Sequence, residues 1–522
     1  MPTTTRTIPV SLTLLVLLAA VPATRLSGQL IQIKTLPVAD GEQWRFFPSS
    51  NLGMGGVSVS LRDSLLDPFE NPADGARLSA KTRGFFFGSP NFYSVSKNAG
   101  GGRTLPIGGI TRMGSTFGGV VLALQQIDNA RPQGTTVLPP IGVLDASPTG
   151  VPVTTTDVNL APTTTPRQNQ FAFATLGRVF ESAGVSVGAS AMWSGLRHMD
   201  GVDLLYAGSR NIDQHGSAMD VRLGALKAWP GDRALETTLL YNHYGMTHDV
   251  TWADSFWDPN RRVIVQRARV EQNLDRTKVW GMHLRYTQPL GDGGWRIGTV
   301  ATTNLMSHPK LPDYQIAQVL TIPWDPGRSA AYDLGVGIGK AAGLTRFGVD
   351  AIYEPITTHT WGETPDSIVT PFGTRPPGAK TTENWFRFSN AIVRTGVSHE
   401  IPMDSLRVSL RSLRLEAGLS VRSISYAFNQ TDHVTRVDRR QNESWMEWTR
   451  TWGFGIRFTD LEFRYMGRTT TGTGRPGVFG NNSRAIFAPA ADANFLAPPN
   501  GPTTLTAVAV TTHQLAISLP IR

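Results

Sequence analysis

Cysteine is absent from the 522 residues. That excludes in one step a lipid-anchored N-terminus, a disulfide scaffold, a thiolate metal centre and a cysteine nucleophile. Beyond the N-terminus no apolar run is long enough for a helical membrane span, which takes roughly 20 predominantly apolar residues; stretches such as Val120 to Leu124 break after a few positions. Helical periodicity is nearly missing. Lysine is scarce, and arginine supplies most of the 49 positive side chains behind the net charge of +9 and pI of 9.9. The arginines stand singly along strand-like segments rather than in basic runs, so the positive balance does not indicate a nucleic-acid partner.

The N-terminus reads as a secretory signal: Arg6, an apolar run from Val10 to Val21, then small residues with cleavage sites after Ala23 or Gly28. Residues 1–28 are therefore set apart from the fold.

The dominant pattern is period-two alternation in segments bounded by Gly, Pro, Asn, Asp or Thr. Val185 to Trp193 carries apolar residues at odd positions and Ser186, Gly188 and Ser190 between them. Trp280, Met282, Leu284 and Tyr286 alternate with Gly281, His283, Arg285 and Thr287. Leu413, Leu415, Ala417, Leu419 and Val421 alternate with Arg414, Glu416, Gly418, Ser420 and Arg422. Trp452 to Phe458 turns through Thr459-Asp460 into Leu461, Phe463 and Tyr465, with Arg457, Glu462 and Arg464 on the other face. Further segments lie near 81–93, 103–113, 116–128, 168–180, 220–229, 234–250, 263–273, 295–304, 332–340, 345–354, 384–398 and 505–519.

Strands with one apolar and one charged face, and no helical layer to cover a sheet, predict an all-β transmembrane antiparallel β-barrel over 81–522. The segments allow roughly 14 to 16 strands, with about 14 favoured. Aromatic groups near strand ends, Trp252-Phe256-Trp257 and Trp445-Trp448-Trp452, suit membrane interfaces. Connections are predicted to alternate between tight turns and long outer loops near 129–167, 305–331, 355–383 and 467–503. A last strand, Leu515 to Ile521, is expected to close on the first, with Pro520 at its rim.

Between signal and barrel, residues 29–80 contain Asn51-Leu52-Gly53-Met54-Gly55-Gly56 and Asp67-Pro68-Phe69-Glu70-Asn71-Pro72-Ala73. The glycines permit positive φ and close backbone approach, as a segment folded against an inner wall requires. This block resembles the N-terminal signature of the FadL-type outer-membrane transporters and their PorV-type relatives, in which a Gly-Met-Gly-Gly stretch precedes an Asn-Pro-Ala element. The resemblance implies a 14-stranded barrel whose N-terminal segment is a hatch, or plug, inside the lumen, and passage of long-chain fatty acids or other hydrophobic compounds across the bacterial outer membrane. It carries over Gly53, Met54, Gly55, Gly56, Asn71, Pro72 and Ala73 as hatch architecture. The sequence departs from the pattern at Phe69-Glu70 and Asp74-Gly75, and it ends in Pro520-Ile521-Arg522 rather than an aromatic residue.

The charged strand faces make His283, Arg285, Arg346, Asp350, Glu354, Arg414, Glu416, Arg422, Arg457, Glu462 and Arg464 candidate lumen-lining residues, for wall-knitting pairs or for a carboxylate head group. Catalysis is not expected. His243 and His248 fall on opposite faces of a strand, and His198, Asp200, Asp203, Asp213 and His215 show no converging third ligand. Gly100-Gly101-Gly102 and Gly335 to Gly339 are not nucleotide loops, since no helix start follows either and the second lies within an alternating strand; they mark turns or small lumen-facing positions. The expected protein is a monomeric, cofactor-free, metal-free passive transporter whose partners are outer-membrane lipid and a hydrophobic or amphipathic solute. The alternatives are a PorV-type barrel that docks exported proteins on its long loops and a mainly structural barrel.

Overall fold

In hydrocarbon an alternating chain satisfies its backbone only by closing a sheet on itself. The computed structural model describes residues 31, 39, 41, 43–78, 83–97, 99–128, 167–200, 202, 211–258, 263–307, 310–314, 326–364, 366–403, 410–476 and 505–521. It is a closed antiparallel barrel of 16 strands. In chain order these are β1 (Gly84–Gly88 with Asn91–Val95), β2 (Gly101–Met113), β3 (Thr116–Asp128), β4 (Arg167–Phe180), β5 (Val185–Leu196), β6 (Asn211–Trp229), β7 (Arg233–Asp258) and β8 (Val263–Leu290). They continue with β9 (Trp295–Ser307, extended by Lys310–Tyr314), β10 (Gly327–Ala342), β11 (Thr345–Glu363), β12 (Lys380–Pro402), β13 (Leu410–Asp432), β14 (Val437–Phe458), β15 (Glu462–Thr471) and β16 (Val510–Ile521). Both parts of β1 pair with the same neighbours in one register, and the ladder passes through the Ser89 amide and the Pro90 carbonyl. Strand β16 pairs with β1, so the ring has no edge. Pro520 lies opposite Phe85 at the end of that ladder.

Connections at one end are short. Gly114-Ser115 and Gly343-Leu344 are two-residue hairpin loops whose first residue has φ of 59° and 64°, a conformation that glycine adopts without steric cost and that matches the strand twist. The long connections are all at the other end, which by the usual asymmetry of such barrels is the cell exterior.

Outward positions form an apolar belt: Leu122 on β3, Leu176 on β4, Leu223 on β6, Leu334 and Val336 on β10, Val393 on β12, Leu415 on β13 and Leu519 on β16 are all exposed. An apolar surface running round the whole molecule far exceeds what a soluble protein leaves open to water. Many inward positions are polar, as with Ser186, Ser190 and Ser194 on β5, while others, such as Phe173 on β4, pack in buried apolar clusters.

Three expectations change. The favoured count of 14 becomes 16, and the segments near 263–273 and 280–287 are one strand of 28 residues. The polar stretch between them belongs to a strand that has left the bilayer, where neither face needs to be apolar. For the same reason 355–363 and 380–383 are strand, not loop, and a small hairpin, Ile368–Thr370 with Gly373–Arg375, occupies part of the shorter connection. The proposed loops at 305–331 and 467–503 likewise shrink, because Leu305–Ser307, Lys310–Tyr314, Gly327–Ala331 and Gly467–Thr471 are strand. The signal segment 1–28 and most of 129–167 lie outside the described residues. Of the proposed aromatic ends, Trp448 and Trp452 are exposed while Trp445 packs inside against Tyr426; the side chains near 252–257 lie outside the description.

Candidate functional site

The N-terminal segment, described from Gln43 to Leu78, is organised by one carboxylate. Asp63 is buried and accepts hydrogen bonds from the backbone amides of Ser50, Asn51, Leu65 and Leu66 and from the hydroxyls of Ser49 and Ser50. The Asn51 side chain donates to the Val57 carbonyl at 2.9 Å, closing the Gly-Met-Gly-Gly turn, in which Gly55 and Gly56 both have φ of 72°. Asn71 caps the next turn by accepting from the Ala73 amide at 3.0 Å.

Three sides of this segment meet the inner wall. On β14, Thr451 Oγ1 donates to the Gly53 carbonyl at 2.9 Å and accepts from the Gly55 amide at 2.8 Å. On β11, Asp350 accepts from the amides of Ser58 and Val59 at 2.8 and 3.1 Å. On β1 and β4 the contact is aromatic: Phe69 stacks on Phe47 of the same segment at 4.6 Å and packs against Phe85, Phe87 and Phe173. Where the segment's backbone comes closest, the wall carries glycine. A Cβ on Gly396 would lie 2.1 Å from the Met54 carbonyl oxygen, one on Gly418 2.1 Å from the Gly55 amide, and one on Gly224 2.1 Å from Asn71. Gly396→Val therefore displaces the segment while leaving the barrel closed. Overpacking of this kind costs on the order of 1–3 kcal/mol. The expected result is cleavage within residues 43–78 by added protease at least about tenfold faster than wild type, with an unchanged heat-modifiable barrel band on gels.

The fourth contact is ionic. Arg285 on β8 meets Asp67 at 2.9 Å, Glu236 on β7 at 2.6 Å, Asp74 at 3.9 Å and the Ser58 carbonyl at 3.2 Å. Arg77 joins Glu236 at 2.7 Å and Asp74 at 3.2 Å. All but half-buried Arg77 among these charged side chains are buried. Beside them, burial and the Asp67 carboxylate push the Glu70 carboxyl up to about 7. Its raised pKa means that this contribution to packing is fully present below the ordinary glutamate value of about 4.3 and is lost as pH rises through about 7. A spin label on Ser64→Cys, unique in a chain without cysteine, should gain mobility between pH 6 and pH 8, and Glu70→Gln should remove that dependence.

Toward the long-loop end, the interior changes character. On β13 the outward residues are apolar from Leu413 to Val421; beyond that point the outward residues are Ser423, Ser425 and Ala427, and the inward ones are Ile424, Tyr426 and Phe428. Strand β12 makes the same exchange, from outward Val397 and Val393 to inward Phe388 and Phe386 between outward Arg387 and Ser389. The pairing register of these strands is unbroken across the exchange, so the apolar phase has moved from one face to the other. The barrel therefore continues past the bilayer with a polar exterior and an apolar lumen. Phe386, Phe388, Ile356, Ile424, Tyr426 and Phe428 form one cluster there, with Phe386 and Phe428 stacked at 5.0 Å, and Ile31 of the N-terminal segment lies in it. Sequence reading missed this patch, although the exchange of phase at Val421 to Ile424 is visible in the residues themselves.

The candidate lumen residues lie on inward phases and mostly pair with one another or with the segment. Glu354 pairs with Arg422 and accepts from Asn390 at 2.7 Å. Glu400 gathers Arg414 and Arg457 at 3.4 and 3.2 Å, Arg464 pairs with Glu462 at 2.7 Å, and Arg346 donates to the Arg62 carbonyl at 3.0 Å. Glu416 lies against Gly53, and His283 meets Thr302 at 2.8 Å. Asp200 accepts from the Gly41 amide at 2.8 Å and the His198 carbonyl accepts from Gln43, so both hold the N-terminal segment. Asp203 lies outside the described residues; His215 stands 3.9 Å from Asp249 on the outer face. Among the described residues no group of three or more His, Asp or Glu is arranged to hold a metal ion.

A closed ring of strands, an apolar exterior belt and a charged, occupied interior define a transmembrane β-barrel of the bacterial outer-membrane type. No protein-family model matches the chain, and no curated protein matches its sequence. Among solved structures it is similar to a FadL homologue of Pseudomonas aeruginosa, at 11% identity over 91% of this chain and 100% of that one, TM-score 0.40. It is also similar to the Ralstonia pickettii toluene transporter TbuX, at 8% identity over 91% and 99%, TM-score 0.38, and to a bacterial polysaccharide outer membrane secretin, at 6% over 85% and 100%, TM-score 0.36.

Proposed function

We propose that this barrel is a passive outer-membrane transporter of a hydrophobic or amphipathic small molecule of the long-chain fatty-acid kind. The observation that carries the reading is the apolar lumen above the bilayer, where Phe386, Phe388, Ile424, Tyr426 and Phe428 face inward behind a polar exterior. A pore for polar solutes has no use for such a surface, whereas a greasy solute gains about 25 cal/mol for each Å² of apolar area it removes from water there. In this reading the segment 29–80 is the hatch. Its contacts with Thr451, Asp350 and Arg285 support a closed resting position. The solute binds at the loop end, the hatch yields, and diffusion down the solute's own gradient does the rest. No energy source and no cofactor enter the scheme.

The test is lipid analysis by mass spectrometry of protein purified from outer membranes in mild detergent, alongside a variant lacking residues 29–80. Enrichment of long-chain acids in the intact protein, altered by loss of the hatch, supports transport. No enrichment in either form contradicts the proposal and favours a secretion or scaffolding barrel.

A further inference from the structure

The outer face of β6–β8 carries two cations that the lumen does not use. On β8 the outward phase runs, from the membrane belt toward the loop end, through Tyr286, Leu284, Met282 and Trp280 to Lys278 and then Arg276. Trp280 is exposed and packs against Tyr241 of β7 at 4.5 Å, an aromatic pair of the kind that marks a bilayer interface. Lys278 lies directly above it, opposite His243, and is exposed. Arg276 lies opposite Gly245, which has no side chain to cover its guanidinium, and among the described residues it donates to the backbone carbonyls of Met246 and Asp275, at 3.4 and 3.2 Å. Among the described residues neither cation has a carboxylate partner, whereas Lys380 on β12 has Glu383 at 2.6 Å. Asp275, which precedes Arg276 in sequence, accepts from the Thr277 hydroxyl on the opposite, lumen-facing side of the strand.

From this arrangement we infer that Arg276 and Lys278 bind the phosphate of an anionic lipid in the outer leaflet. Continuity with the exposed apolar residues below, Leu223 and Trp280, and with Met219 in register beside Lys278, names the occupant: a headgroup whose acyl chains lie along the belt while its phosphate reaches the paired cations. A guanidinium held only by carbonyls keeps N–H groups free for two phosphate oxygens, and the lysine adds a flexible point charge beside it. The site faces away from the lumen, so it stands or falls separately from the transport reading.

The test uses the full-length barrel in nonionic detergent, with native mass spectrometry of adducts formed with diphosphorylated lipid A and with its dephosphorylated form. Wild type is expected to hold the phosphorylated lipid about thirtyfold more tightly than Arg276→Gln/Lys278→Gln, the effect of two cations near an anionic lipid surface. Dephosphorylated lipid A should bind both proteins alike. The exchange Arg276→Lys/Lys278→Arg should keep most of the affinity, which separates a charge effect from disturbed folding. Equal binding by wild type and the double glutamine variant overturns the inference. So does displacement of the lipid by millimolar inorganic phosphate, which would reduce the site to a general anion patch.

Discussion

Replacing Phe386 and Phe428 together by alanine is expected to weaken binding of a long-chain acid by about a hundredfold or more while the barrel still assembles. The two rings stack at 5.0 Å in a buried cluster that Ile31 of the N-terminal segment completes, so a solute that displaces Ile31 takes over their apolar contacts. Burial of one such side chain is worth about 1.5–3 kcal/mol, and a factor of ten in affinity is about 1.4 kcal/mol. Assembly is spared because both residues sit above the bilayer exchange point, where closure depends on the backbone ladder of β12 and β13 and not on lipid-facing side chains. Isothermal calorimetry in detergent checks the affinity, and its control is Val393→Ala on the outward face of the same strand, which should leave binding unchanged.

Loss of Arg285 has the second large effect, on the N-terminal segment instead of the solute. Arg285→Met leaves Asp67 and Glu236 buried without their common partner, and breaking a buried pair from one side costs about 3–5 kcal/mol. The docked position of the segment then loses most of its advantage, and the variant should show a steady ion conductance in planar bilayers that wild type lacks. Removing the stranded charges as well, in Arg285→Met/Asp67→Asn/Glu236→Gln, should return the conductance toward the wild-type level. Arg296→Gln is the contrasting case. Its partner Asp232 lies in an exposed turn, so the pair is worth less than about 1 kcal/mol and its loss should leave conductance unchanged.

The wall was legible because lipid on one side and water on the other impose a strict alternation, as Leu413 to Val421 against Arg414 to Arg422 shows. That rule also explains the errors. Past the bilayer the outer solvent is water, the alternation loses its meaning, and β8 reads as two segments although Val263–Leu290 is continuous. The favoured count of 14 fell short of the segments themselves, which come to 16 once 263–273 is joined to 280–287. Inward charges were identifiable by phase, but their partners were not. Thr451 holds Gly55 across 396 positions, and Asp350 holds Ser58 across 292, distances over which no local pattern speaks. Gly335 to Gly339 was readable as small residues facing inward; that Gly337 and Gly339 make room for Val59 and Leu61 required the fold.

In the proposed transport a hydrophobic solute crosses by way of the apolar lumen of β12 and β13. Its most direct measurement is uptake of a radiolabelled long-chain fatty acid by cells whose own outer-membrane fatty-acid barrel has been deleted, expressing either this protein or its Phe386→Ala/Phe428→Ala variant at equal outer-membrane levels. Wild type should restore uptake, and the variant should restore little of it. Equal uptake by both proteins, or none by either, would contradict it.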